Sequence, residues 1–584
     1  MSWQLKVDTD NAVAVVKLSN GDTRIDMQFA QQLDVAETDN AICIVFGRCR
    51  PYGEDYLSTG SAAWLATAYA QYGVTLPEHI AGFFVALLID KPSNRILLIN
   101  DHVGSIACYV TQKAAEHVVL SDTLTPVQGA ALCPQALFHY VFYHCIPSPH
   151  SIYQHTTKLE PGVTASWQPT TVLTIQNYYQ PDFTPAKQST EQLMVRCREL
   201  ISEAVRRNIS DNCAAFLSGG LDSSTVAGML AKHSEQAKTY SIGFDAKGYD
   251  ETEYALITAK HFNTQHQVHY LQPEEIEQHF NTVASHFTEP FGNSSAMAAY
   301  ICAKNAKADG ISVMLAGDGG DEIFAGNERY VKQKVFEHYT HLPGPLQKLL
   351  DIGLDNSIAA AVPGVKKACS YVRQAKVPLP DRLDSYNFVN RFDLKQMFSE
   401  ELLAQVDTDL AAQQKRSRYQ ACRSNDAVDR MMYLDWKFTL ADNDLVKVSR
   451  MCQLAGVEVR FPLFEKELVD FSCTVPAELK APGQKLRDFY KNSFRGFLPD
   501  ETLSKSKHGF GLPFGVWMKQ RPALNSLALD ALEAFKKRNI LQSNFIDTAI
   551  STFRDGHAGY YGELVWIIVV LELWLQQHGA NYAA

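Results

Sequence analysis

Short apolar runs separated by turn residues dominate the first third of the chain. Residues 12–18, 41–46, 83–89, 95–99 and 118–120 are each β-like, and Asn20-Gly21-Asp22, Lys91-Pro92-Ser93-Asn94 and Glu160-Pro161-Gly162 punctuate them. Runs of this length bounded by Gly, Pro and Asn predict antiparallel strands, here in a layered α+β domain over 1–180. The pattern breaks at Gln180-Pro181 and again at Pro185, and Ser189-Thr190-Glu191 opens a long helix toward Asn208. From 190 the rhythm changes. Strand patterns at 213–217, 239–244, 267–271 and 311–316 alternate with helical ones at 223–233, 251–262 and 273–308. That alternation predicts an α/β second domain, 190–584, built on a doubly wound parallel sheet with ligands at the strands' C-terminal ends. After about residue 330 the strand signals fade, and 335–430 and 520–584 are mostly helical. The most apolar stretch, 564–571, stops at Glu572. It is far short of the ~20 residues of a spanning helix, so a buried C-terminal helix is expected and no membrane role.

Composition narrows the function classes. An apolar content of 46% with 20% charged residues over 584 positions describes a folded chain of two to four domains. The net charge of −10 argues against a sequence-independent nucleic-acid partner. The twelve cysteines are scattered without a Cys-x-x-Cys pair, and the first residues lack the apolar run of a signal peptide. Both point to the cytoplasm.

The chemistry is concentrated in Leu217-Ser218-Gly219-Gly220-Leu221-Asp222-Ser223-Ser224. A Ser-Gly-Gly turn between a strand and a helix offers backbone N–H groups and hydroxyls at a helix N-terminus, which is an anion site. Beside a phosphate, Asp222 needs a divalent cation to offset repulsion. The spacing is neither a Walker loop nor a Rossmann turn. It resembles the pyrophosphate loop of the ATP pyrophosphatases, which implies adenylation with release of pyrophosphate. A second segment, Gly317-Asp318-Gly319-Gly320-Asp321-Glu322, follows the last strand of the alternating series, and its carboxylates leave the same sheet edge as Asp222. Two carboxylates converging on one phosphate chain would share Mg²⁺. A third, Lys505-Ser506-Lys507 before Gly509-Phe510-Gly511, could supply fixed positive charge. The mixed charges of Asp444, Lys447 and Arg450 fit either an internal salt-bridge network or part of the site.

Taken together, these segments resemble asparagine synthetase B and its relatives, strongly over 190–580 and weakly over the N-terminal part. The resemblance implies that Leu217, Ile242 and Gly317 line the ATP site and that Ser218, Gly219, Gly220, Ser223 and Ser224 hold pyrophosphate. It puts Asp222 and Asp321 on Mg²⁺. Asp318 falls where the synthetase has a glutamate that deprotonates the incoming nitrogen, and Lys507 matches a lysine that stabilises charge during adenylation. The implied partners are a small-molecule or peptide carboxylate and ammonia or an amine, supplied free or by a separate protein, in a chain compatible with a homodimer.

The N-terminal part departs from the family. Glutamine-dependent members begin Met-Cys-Gly, whereas this chain begins Met1-Ser2-Trp3, and the family's Arg-Asp-Arg run reads Asn100-Asp101-His102. A serine hydroxyl is a much poorer nucleophile than a thiol. The expectation is therefore a glutaminase-like domain without glutaminase activity. Two alternatives carry distinct predictions: a lasso-peptide-type macrolactam cyclase, and a non-catalytic nucleotide-binding scaffold that would lack an essential site residue.

Overall fold

The computed structural model describes residues 3–8, 13–18, 23–29, 33–57, 60–114, 117–124, 130–169, 171, 173–244, 250–340, 342–354, 365–387, 389–506, 514–555, 558–579 and 582. Two six-stranded sheets occupy the N-terminal part. In one of them Ala41–Pro51 and Ile80–Asp90 pair antiparallel along their whole length. Successive side chains of a strand face opposite ways. Ile42, Ile44, Val85 and Leu87 accordingly join Val16, Ile25 and Met27 of the other sheet in one apolar core. Cys43, Val45, Ala86 and Leu88 pack on the other face with Ala62 and Leu65 of the helix Ser61–Tyr72. Burial on both faces explains why these two strands read as continuous apolar runs.

The helix Thr190–Asn208 begins at Ser189, whose hydroxyl accepts from Gln192 N–H while the Gln192 side chain returns to the Ser189 backbone. It leads into a five-stranded parallel sheet ordered Gln265–Leu271, Lys238–Phe244, Cys213–Phe216, Val313–Leu315, Glu458–Arg460. Both faces are covered: Ala215 and Leu315 pack with Leu193, Cys197, Val226 and Leu230, while Ala214 and Met314 pack with Cys302 and Ala306. The chain order reverses at Cys213–Phe216, which has a later strand on each side. Such a reversal opens a crevice at the strands' C-terminal ends.

Three sequence expectations differ from the structure. In the N-terminal part, where antiparallel strands are expected, Arg24–Gln28 and His117–Ser121 pair parallel. The helix expected over 273–308 is two helices, Pro273–His286 and Ala296–Ala308. Between them Glu289 accepts hydrogen bonds from Tyr109 Oη, Ile152 N–H and Lys158 Nζ of the N-terminal part. The fifth strand, Glu458–Arg460, had no sequence signal: it has three residues, two of them charged and paired with each other. The apolar stretch 564–571 lies inside the helix Ala558–Gln577, with Ile567, Leu571 and Trp574 in the largest apolar core. Among the described residues no helix is long and apolar enough to cross a membrane.

The two halves are joined through buried charge. Arg50 is fully buried and donates to Glu465 at 2.5 Å and to Glu467 at 2.7 Å. Lys158 lies 2.9 Å from Glu289 and 3.8 Å from Asp442. Burying ions is costly unless each is compensated, and here each cation meets two carboxylates.

Candidate active site

The loop after Cys213–Phe216 is held open by its own side chains. Ser223 Oγ lies 3.0 Å from Ser218 Oγ and accepts from Ser218 N–H, while Ser218 Oγ accepts from Gly220 N–H. Gly219 has φ +73°, and a Cβ there would stand 2.5 Å from Ala255 N. Only glycine satisfies both the left-handed backbone and that close approach. The helix Leu221–His233 follows directly, with Asp222 in its first turn.

The acidic segment arrives on the adjacent strand. Gly317 passes so close to the loop that a Cβ would lie 2.6 Å from Ser223 N, and one at Gly320 would overlap the Asp222 carboxylate. This packing brings the two predicted metal carboxylates together. Asp222 Oδ2 is 2.8 Å and Asp321 Oδ1 3.0 Å from one atom, Nη1 of Arg487. A cation therefore already sits between them, and the donor set suits another: two carboxylates plus substrate oxygens is a usual Mg²⁺ environment. Among the described residues no cluster of three metal-binding side chains exists, so such an ion would depend on the substrate for further ligands.

Around this point lies a cavity of about 450 Å³. Leu217, Ile242, Ala298 and Ala299 form an apolar wall, and Ser218, Gly220, Asp222, Ser223, Gly317, Asp318 and Asp321 line the polar side. Of the remaining predicted residues, Ser224 is fully buried with its hydroxyl on Thr258, off the cavity wall. Lys507 lies outside the described residues. The last described basic residue before it, Lys505, lines the cavity and lies 3.0 Å from Glu251.

Asp318 faces Asp444 and Lys447 across the same cavity. Burial pushes its carboxyl up to about 6, against the pull of Lys447 and with the push of Asp444. Lys447 is held 2.9 Å from Asp444, and although burial alone would lower it, Asp444 and Asp318 raise it above its ordinary value. These two residues, ambiguous in the sequence, belong to the cavity. They sit where the irregular turn Trp436–Asp444 passes into the helix Leu445–Ala455. Widened turns of this kind recur at functional sites. The opposite side of that helix, with Val446, Ser449 and Arg450, walls a second cavity of about 130 Å³ against Arg48, Tyr56 and Phe83 of the N-terminal part.

Arg487 was missed in the sequence. It stands in a left-handed conformation, φ +54°, at the start of the helix Asp488–Ser493, in a stretch without any motif. In the N-terminal part, Asp101 accepts from the backbone N–H of Phe84, Val103 and Ser105 and from Ser105 Oγ. Its neighbour His102 bonds Phe464 O across the seam, and burial drives it down to about 3. Both side chains hold structure together here.

The asparagine synthase family model matches residues 196–576, and a glutamine amidotransferase domain model matches 49–179. The chain is 23% identical over 530 residues to asparagine synthetase [glutamine-hydrolyzing] 1 of Bacillus subtilis, covering 87% of this chain and 80% of that one. It is 21% identical over 541 residues to a putative asparagine synthetase of Mycobacterium tuberculosis (90% and 80% covered). Against a second putative asparagine synthetase, from Methanocaldococcus jannaschii, identity is 28% over 424 residues (67% and 76% covered). With its pyrophosphate-loop sheet and amidotransferase-like N-terminal part, the chain belongs to the asparagine synthase family of ATP-using, AMP-forming carbon–nitrogen ligases.

Proposed function

We propose that residues 190–584 adenylate a small carboxylate, aspartate or a close analogue, and pass the acyl group to ammonia or an amine. The observation that carries this reading is the convergence of Asp222 and Asp321 on a single cation at the mouth of the Ser218–Ser223 loop. The adenine ring would lie on Leu217 and Ile242, beside Gly317. Backbone N–H groups of the 218–220 turn, with the Ser218 and Ser223 hydroxyls, would bind the pyrophosphate that leaves. Mg²⁺ bound by Asp222 and Asp321 would neutralise charge on the phosphates. The substrate carboxylate attacks the α-phosphorus, pyrophosphate departs, and nitrogen attacks the acyl carbon as AMP leaves. Asp318 is the base for the nitrogen proton: with a carboxyl near 6 it is largely ionised at neutral pH yet basic enough to take a proton. Lys447 would stabilise its charge, and Lys507 would add positive charge at the α-phosphate.

Residues 1–180 serve in this reading as a glutaminase-like domain without the reaction, because Asn100-Asp101-His102 replaces the family's Arg-Asp-Arg run and its Asp101 and His102 side chains are taken up by backbone contacts. Nitrogen then comes as free ammonia, from another protein or on the substrate itself. An N-terminal domain without the glutaminase reaction equally fits a second reading, a macrolactam-forming cyclase whose amine lies on the substrate.

ATP–[³²P]pyrophosphate exchange, screened against aspartate, other small acids and peptides, tests the proposal. Exchange with aspartate, and asparagine formed from ammonia but not glutamine, is the expected result. Exchange only with a peptide would select the cyclase, and no exchange despite ATP binding would leave a scaffold. Asp222→Asn is expected to abolish exchange, and wild-type exchange in that variant would refute the metal assignment.

A further inference from the structure

Arg487 puts a permanent positive charge where the proposed function requires a divalent one. Its Nη1 touches both Asp222 and Asp321, at 2.8 and 3.0 Å. The residue is 7% exposed. Such a guanidinium is costly to bury alone, and two half-buried carboxylates facing each other repel. Together the three groups compensate one another. The surrounding backbone is shaped for this arrangement: a side chain at Gly320 would overlap Asp222, and one at Gly326 would overlap Asp321. The carboxylates are thus assembled before any ligand arrives, around an ion the protein supplies itself.

A divalent cation entering between the same oxygens would have to compete with that guanidinium for them, an unfavourable like-charge contact in a half-buried site. A polyphosphate changes the balance. Arg487 lines the cavity, and its buried Nε has no hydrogen-bond partner among the described residues, so the guanidinium is not fully committed and can turn toward a ligand there. Phosphate oxygens are the acceptors that a guanidinium fork fits best. Lys491, also on the cavity wall, adds a second positive charge for them.

We propose that Arg487 is a resident counter-ion that keeps the metal site assembled but closed to free divalent cations, so that metal enters only with a polyphosphate, which takes Arg487 over. The inference rests on the reading of Asp222 and Asp321 as metal carboxylates. It makes metal and polyphosphate binding mutually dependent through one side chain.

Mn²⁺ titration followed by electron paramagnetic resonance tests this on the full chain, with inorganic pyrophosphate as the polyphosphate. Wild type should bind free Mn²⁺ poorly and bind it at least about tenfold more tightly with pyrophosphate, after correction for the complex formed in solution. Arg487→Gln should tighten free Mn²⁺ by a similar factor and flatten the pyrophosphate effect, whereas Arg487→Lys should keep part of it. Unchanged or weaker Mn²⁺ binding in Arg487→Gln overturns the inference. Should that variant fail to fold, wild type alone decides, because tight Mn²⁺ binding without pyrophosphate contradicts the proposal. Asp222→Asn separates the two levels. If it leaves Mn²⁺–pyrophosphate binding intact, the metal reading itself is wrong; if it abolishes binding while Arg487→Gln is neutral, only the counter-ion role falls.

Discussion

Replacing Lys447 by methionine removes the cation that draws the proton off Asp318, and replacing Asp444 by asparagine removes the anion that holds it on. The two changes reinforce their own signs, because Lys447 and Asp444 are paired at 2.9 Å. Lys447→Met leaves Asp444 unneutralised near Asp318; Asp444→Asn leaves Lys447 free to act on it. An opposite charge within about 4–6 Å lowers a carboxyl by roughly 1–3 units, so one unit is a conservative expectation in each direction. Starting from about 6, a rise of one unit cuts the ionised fraction about fivefold at pH 6, less than twofold at pH 7 and hardly at all at pH 9. The assay is the rate of amide formation from pH 5.5 to 9 at constant free ammonia, using whichever acid supports pyrophosphate exchange. Lys447→Met should move the acidic limb to higher pH and Asp444→Asn to lower pH. If both variants lower the rate by one factor at every pH, Asp318 is not the titrating base and the reasoning fails.

Three other outcomes test the site and its frame. A carboxyl raised in the folded state contributes stability that is complete below its unfolded value of 3.8 and is lost as pH rises through about 6. Asp318→Asn should therefore raise the melting temperature at pH 8 by the equivalent of about 1–2 kcal/mol, with a smaller gain at pH 5, while slowing amide formation. The cavity-facing surface of Asp318 keeps this below the full shift. Gly320→Ala should push Asp222 aside and suppress pyrophosphate exchange while circular dichroism stays native; wild-type exchange would show that the carboxylate need not stand where it does. Arg50→Met leaves Glu465 and Glu467 without their buried cation and should cost about 3–5 kcal/mol, read as a lower melting temperature and faster proteolysis at the seam. A neutral result would mean that solvent reaches those carboxylates.

What could be read from the chain was what neighbouring residues settle between themselves. The Ser218–Ser223 turn announces itself because its glycines, hydroxyls and Asp222 sit within seven positions. Asp318 and Asp321 were legible for the same reason, as a Gly-rich turn after an apolar strand. Arg487 was not: it meets Asp222 across 265 positions, and nothing in Lys485-Leu486-Arg487-Asp488 marks it out. Likewise Glu289 interrupts an otherwise helical pattern to serve Tyr109, Ile152 and Lys158, partners more than 130 positions away. Glu458–Arg460 is a strand only because Val313–Leu315 stands beside it. Long-range partners override local pattern in each case, and a single sequence does not print them.

The bond between Arg50 and Glu465 spans 415 positions, and that separation is also a length of time. At about 5–20 residues per second a ribosome needs roughly 20–80 s to travel from one to the other. Once Thr174–Asn177 has been made the N-terminal sheets can form, yet their arginine has no carboxylate to meet. The finished chain must therefore recruit its first third late in synthesis, so the nascent protein waits on its last strand and the residues just beyond it before the two halves can close.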